Sequence, residues 1–288
     1  MDHPFFRSLR QAQVIKLTGE AGLHGDFIVV SQSCDVVQPK RELLQLAPLV
    51  SIPDAEVRRG ALKKVNPRYP LVSAVNEGLF ADLARLTSVE KRAIVDASIV
   101  SKLEIADARD AREFGLAVGR WFSRFAFPDE VQPWLAPVQE LIRKKYDSSQ
   151  SALGRLLQDV TEIRVEAPSW DSLPVAIKLH VIVKAGVVPT IPEDQDLSGL
   201  GHLPNDLDAL CQAILNEEDV IRRAVLWSAF PDALAQRCSP KGRDAENPAV
   251  RDAVDSVEGE LSSDDTFSLS SFRRSEQLDI DFLSDPMP

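Results

Sequence analysis

Cysteine is scarce in this chain: Cys34, Cys211 and Cys238 are far apart and odd in number. That excludes a disulfide framework and leads us to expect a reducing, cytoplasmic address. Long apolar runs are absent as well. No stretch reaches the roughly 18 apolar residues that a membrane-spanning helix needs. The opening Met1-Asp2-His3-Pro4-Phe5-Phe6-Arg7 lacks the basic-then-apolar build of a secretory leader. Four histidines and three cysteines show no pair at zinc-ligand spacing, so neither a metal nor another cofactor is expected. Gly199-Leu200-Gly201 lacks the rest of any phosphate-cradling loop. Basic residues are outnumbered, 33 to 44, and the net charge is −11. Much of it lies from Pro248 onward, where ten acids face three bases. Such a balance disfavours general attraction to nucleic acid or to an anionic membrane, and no membrane partner is expected.

What is present reads as an α+β protein. Several short β-branched runs, among them Gln13–Leu17, Asp26–Val37 and Leu43–Val50, are spaced as in a small β-barrel spanning 1–105. Residues 106–158 read as a helical linker, with apolar residues at three- and four-residue steps and Asp147-Ser148-Ser149 as a cap. A second α+β domain follows over 159–261. Its strands at Val160–Val165, Val175–Val183 and Ala253–Leu261 imply an antiparallel sheet with helices on one side. Residues 262–288 form an acidic tail, of which Ser262 to Ser271 has the make-up of a segment that does not fold alone. The tail ends in a patterned stretch where Leu278, Ile280 and Phe282 alternate with Asp279 and Asp281. That pattern predicts order over 276–284 and docking of the three apolar side chains as an added strand.

Two clusters are candidate sites. Ser31-Gln32-Ser33-Cys34-Asp35 follows the strongest strand, and an extended chain would put Ser31, Ser33 and Asp35 on one face. If the cluster is catalytic, Ser31, Cys34 and Asp35 are its residues, and Cys34 needs a nearby base or cation. Otherwise Cys34 is a buried small hydrophobe, and this is the expectation. Arg58, Arg59, Lys63, Lys64 and Arg68 place five cations in eleven residues, read as a loop. They are the one credible phosphate or nucleic-acid surface. His180 lies in an apolar strand and reads as a packed, hydrogen-bonded side chain.

Residues 25–94 resemble the SH3-like barrel of the MazF/PemK-type toxins. The stretches that carry the likeness are Gly25-Asp26-Phe27-Ile28-Val29-Val30-Ser31, Leu44-Gln45-Leu46-Ala47-Pro48-Leu49-Val50 and Leu86-Thr87-Ser88-Val89-Glu90-Lys91-Arg92-Ala93-Ile94. The resemblance implies a ribonuclease, but Asp26 stands near the place of the family's catalytic arginine and Val50 at that of its threonine. An aspartate cannot stabilise phosphate charge as an arginine does. The sequence thus leads us to expect a non-catalytic prokaryotic interaction or regulatory component, with another protein as its partner, in a toxin or phage-defence setting. The alternative is a divergent ribonuclease or a cysteine-dependent hydrolase at Ser31, Cys34 and Asp35.

Overall fold

The computed structural model describes residues 2–62, 66–73, 78–100, 108–123, 125–146, 148–192, 195 and 201–278. The chain divides into two compact units with the boundary at Phe125. Each has its own apolar core, and the class is α+β. Among the described residues no helix is long and apolar enough to cross a membrane.

In chain order the first unit contains α1 (Pro4–Ser8), β1 (Val14–Thr18), β2 (His24–Val29), α2 (Ser33–Val37), β3 (Leu43–Val50), α3 (Ala55–Leu62), β4 (Leu71–Ser73), β5 (Leu79–Ala81), β6 (Thr87–Glu90), β7 (Ser98–Ile99) and α4 (Ala108–Ser123). Its strands form a curled antiparallel half-barrel in the order β4-β5-β3-β2-β1-β7. β3 makes the curl possible. Its first half pairs with β6 (Leu43↔Glu90 to Leu46↔Thr87) and its end pairs with β5 (Val50↔Phe80), so one long strand serves two stretches of sheet. Side chains alternate across the strands. Ile15, Leu17, Phe27, Val29, Leu44 and Leu46 fill one core cluster, while Val14, Ile28 and Ala47 face another that includes Phe114.

The second unit contains α5 (Gln132–Lys145), α6 (Ala152–Leu157), β8 (Val160–Glu166), β9 (Val175–Val183), α7 (Leu207–Asn216), α8 (Val220–Ala235), α9 (Arg243–Glu246), α10 (Pro248–Arg251), β10 (Val254–Ser263), α11 (Leu269–Arg274) and β11 (Ser275–Gln277). The sheet order is β10-β9-β8-β11. Val175, Ile177, Leu179, Val181 and Val183, the odd-numbered residues of β9, face the core with Leu226, Trp227, Phe230 and Leu234 of α8. Asp206 and Asp219 cap α7 and α8 by accepting backbone N–H groups of the first turn.

Several expectations need correction. The sheet of the second unit is mixed, not antiparallel: β10 runs parallel to β9, because four helices carry the chain back across one face before β10 begins. Strand character ends at Val29 rather than Val37, and a helical turn follows. The helical stretch taken for a linker is divided, α4 belonging to the first unit and α5 and α6 to the second. α6 is capped by Ser151, and Asp147 lies outside the described residues.

The acidic tail is the largest departure. Residues 262 and 263 complete β10, Ser268 caps α11, and Ser275–Gln277 pairs antiparallel with β8. Leu278 follows with 0% of its surface exposed; its N–H donates to the Ile163 carbonyl and its own carbonyl accepts from Gln139 Nε2. The polar run of Ser262 to Ser271 folds because it is clamped on both sides by apolar and ladder contacts that composition does not reveal. Ile280 and Phe282 lie outside the described residues.

Candidate functional site

At the end of β2, every polar side chain of the Ser31–Asp35 turn has a defined partner. Ser31 Oγ accepts the N–H of Gln45 at 2.8 Å, and Ser33 Oγ accepts that of Gln11 at 3.0 Å. Gln11 Nε2 donates in turn to the Val30 carbonyl at 2.9 Å. Asp35 pairs with Arg41 at 3.3 Å. Both hydroxyls act as struts between the turn and its neighbours. The extended alternation of Ser31, Ser33 and Asp35 does not occur, since Ser33–Val37 is helical.

Cys34 is exposed, and the expectation of a buried thiol fails. Helical geometry explains it. At 100° per residue, Cys34 stands roughly 200° from Val36, and Val36 takes the core position. Its sulfur meets Gln32 Oε1 at 3.6 Å, an amide oxygen rather than a base. The nearby cation is otherwise engaged. Lys91, 1% exposed, sends its ammonium to the carbonyls of Asp35 (3.0 Å), Val36 (2.6 Å) and Gln38 (2.9 Å). Burial pushes the Lys91 pKa down, while the Asp35 carboxylate opposes that shift. Its three N–H groups thus donate to three carbonyls, and the ammonium caps the C-terminus of α2.

Reactivity should follow exposure. A thiol reagent added to native protein is expected to modify Cys34 quickly and Cys211 and Cys238 only on unfolding. Burial pushes both of those thiols up to about 12. Replacing Cys34 by Ser should change stability by less than about 0.5 kcal/mol, as for other surface changes. Mass spectrometry of briefly labelled protein counts the modified sites; more than one fast site would contradict the burial of the other two.

Of the basic cluster, Arg68 lies in a turn, but Arg58 and Arg59 do not lie in a loop. Arg58 and Arg59 lie on α3, whose start is capped by Asp54 accepting from Glu56 and Val57. Arg58 donates to the Ile52 carbonyl at 3.0 Å, and Arg59 is exposed. Arg68 is committed elsewhere: it grips Asp82 with two bonds of 2.7 and 2.9 Å and lies over the Tyr69 ring. Lys63 and Lys64 lie outside the described residues. Arg68 is thus paired with Asp82, while Arg58 and Arg59 stand on a helix.

The Arg68 hydrogen bonds hold the Asp82 carboxyl below the usual carboxylate range, against the opposing effect of burial. A depressed native pKa stabilises the fold above the unfolded value, about 3.9, and that contribution is lost as pH falls through the native value. Asp82→Asn should therefore lower the melting temperature by several degrees at pH 7. The gap to the wild type should close as the pH is lowered below about 4. Melting curves of both proteins across pH test this, and a gap that persists in acid would refute it.

A third cluster, on the outer face of the second sheet, was not singled out in the sequence. Along β8, Glu162, Arg164 and Glu166 alternate with core residues, as do Lys178, His180 and Ile182 along β9. Arg164 is almost fully buried. Its guanidinium binds Glu162 Oε1 at 2.6 Å, Ser275 Oγ at 2.8 Å, and the carbonyls of Phe272 and Ser275, and it lies 4.1 Å beneath the Phe272 ring. His180 Nε2 meets Glu166 Oε2 at 2.9 Å, and since a carboxylate only accepts, Nε2 carries the proton. His180 Nδ1 has no hydrogen-bond partner among the described residues; Glu260 Oε1 stands 3.8 Å away. Glu166 also receives Arg274 at 2.9 Å. Burial pushes the Glu166 carboxyl up, but the bonds from Arg274 and His180 together outweigh it and hold the pKa below the usual value. The strict period-two charge pattern Glu-Ile-Arg-Val-Glu was the available signal, read at first only as a strand.

This face carries the C-terminal segment. Between it and α11 opens a cavity of about 290 Å³ lined by Thr161, Glu162, Ile182, Asp264, Phe267, Leu269 and Phe272. Among the described residues no group of three or more His, Cys, Asp or Glu side chains is placed to hold a metal ion. Compared with known protein families, curated proteins and solved structures, the chain matches none.

Proposed function

We propose that this chain is a non-catalytic interaction component that engages another protein through the C-terminal segment of its second unit. The observation that carries the reading is α11. Its two largest apolar side chains, Leu269 and Phe272, are 63% and 49% exposed, although the helix is fixed in place. Arg164 holds it from below, β11 pairs it to the sheet, and Leu278 is sealed in the core. A rigid helix with an exposed apolar face suits recognition, since little order is lost on binding. The roles of Ser31 and Ser33 as backbone struts and of Lys91 as a cap support the same reading. The barrel's likeness to the MazF/PemK type supports a place in a toxin or phage-defence system, with nucleic acid a further partner through Arg58 and Arg59.

The exposure of Cys34 favours a second reading, a cysteine-dependent hydrolase, and one experiment separates the two. Purified protein is assayed for cleavage of RNA and of a p-nitrophenyl ester, and the tagged chain is recovered from its host with and without Phe272→Asp. The interaction reading expects a stoichiometric co-purifying protein lost in the variant, and no turnover. Turnover abolished by Cys34→Ser or by changes in the barrel would overturn it.

A further inference from the structure

We infer that the cavity between the outer sheet face and α11 receives an apolar side chain of a partner segment flanked by lysine or arginine. This rests on the interaction reading and adds to it the chemistry of the partner. Size is the first argument. Ligand pockets run from roughly 300 to 1,000 Å³, and this cavity of about 290 Å³ falls just below that range. It therefore suits one or two side chains rather than a cofactor.

The walls are the second argument. Ile182, Phe267, Leu269 and Phe272 are apolar, and three of them are held in place. Phe272 rests on the Arg164 guanidinium, Phe267 packs edge-on against His180 at 5.3 Å, and Ile182 belongs to the central strand β9. The site is thus already shaped before anything enters it.

Charge is the third argument, and it chooses the occupant. Glu162 and Asp264 line the cavity, and Asp265 follows Asp264. Glu162 is already paired with Arg164 at 2.6 Å, so the acids left to an incoming chain are Asp264 and Asp265. Asp264 is held at the rim by accepting the Ala185 N–H at Oδ1, 3.0 Å away. Deeper in, Thr161 Oγ1 is buried without a hydrogen-bond partner among the described residues. The chain's own residues 279–288 carry three acids and no base, so like charge disfavours them here. A second copy, at net −11, is disfavoured for the same reason. A basic amphipathic segment meets both requirements: its apolar side chain fills the cavity, and its cations meet the acids on the rim.

Isotope-labelled full-length protein titrated with short synthetic peptides tests this directly. Acetyl-Lys-Leu-Lys-Phe-Lys amide should shift resonances of Thr161, Ile182 and Phe267 and saturate. Acetyl-Glu-Leu-Glu-Phe-Glu amide, acetyl-Lys-Ser-Lys-Ser-Lys amide and the peptide of residues 279–288 should each bind at least tenfold more weakly. Leu269→Ser, at the most exposed position, should weaken the first peptide at least tenfold while leaving the melting temperature unchanged. Phe272→Ala serves as the second variant, with its spectrum first compared to the wild type. Equal binding of the Lys-Ser peptide would show attraction by charge alone, and equal binding of either acidic peptide would refute the choice of occupant. Both overturn the inference, as does no binding by any peptide. If a co-purifying partner lost in Phe272→Asp is nevertheless found, only the chemistry assigned to the cavity falls and the interaction reading stands.

Discussion

Replacing Arg164 by Ala should destabilise the second unit by about 3–5 kcal/mol, the cost of removing one member of a buried, hydrogen-bonded ion pair. The substitution leaves Glu162 without its cation at 2.6 Å and removes the donor from the carbonyls of Phe272 and Ser275. It also opens space beneath the Phe272 ring, which now lies 4.1 Å above the guanidinium. The loss should be uneven. β11 contributes only three ladder residues, and they are the ones whose surroundings Arg164 organises. Hydrogen exchange should therefore show 275–278 opening well before β8 and β9, with the Leu278 amide losing its protection along with its acceptor, the Ile163 carbonyl. Arg164→Lys should recover little of this, because a point charge cannot make four differently directed bonds as the planar fork does. Denaturant titrations of wild type, Ala and Lys variants give the magnitudes. An Ala variant within 1 kcal/mol of wild type, with protection at 275–278 intact, would show that the ladder and Leu278 suffice without the arginine.

What could be read in the sequence was what periodicity encodes locally. Leu43–Val50 and Val175–Val183 have the strand bounds that their β-branched, aliphatic runs suggest. Asp206 and Asp219 mark the starts of α7 and α8, as a carboxylate before an apolar-periodic run should. What failed depended on partners distant in sequence. Nothing near Val254 shows that β10 runs parallel to β9; the crossover through α7 and α8 decides it. Gly259 belongs to the same arrangement. An added Cβ there would stand 2.1 Å from the Pro231 carbonyl carbon, and its N–H donates to Asp232 at 2.8 Å, so α8 closes the outer edge of β10 at that point. The tail illustrates the same limit. The alternation of Leu278, Ile280 and Phe282 pointed to an added strand. The strand described, Ser275–Gln277, lies just before it, and residues 279–284 lie outside the described residues. The order of the preceding polar run depends on Arg164, about a hundred residues upstream. In the candidate site, the Cys34 turn was visible as a concentration of reactive residue types. Its actual organiser, Lys91, lies 56 residues away from Asp35 and stood in the sequence only within the stretch Leu86 to Ile94 that carries the family resemblance.

That lysine gives the largest effect expected in the first unit. Lys91→Met keeps a straight side chain of similar length but removes three donors at once, from the carbonyls of Asp35, Val36 and Gln38. These are the last-turn carbonyls of a five-residue helix that has no continuation to satisfy them. Each buried acceptor left unpaired costs about 1–3 kcal/mol, and water reaching the more exposed Gln38 end offsets part of it. The net loss should be about 3 kcal/mol or more. Packing alone does not compensate, because the methionine gains only contact with Phe6, whose ring the ammonium already faces at 5.5 Å. The effect should be centred on α2: amides of 33–37 should lose exchange protection, and the Gln11–Ser33 and Gln45–Ser31 bonds that brace the turn should weaken with them. Lys91→Arg is the informative control, since it restores the charge but must fit a larger, planar group into a site 1% exposed, and steric cost should keep it below wild type. Denaturant midpoints and exchange rates at 33–37 are the measurements. A Met variant as stable as wild type, with those rates unchanged, would mean that α2 holds its shape without a cap and that Lys91 is merely buried beside it.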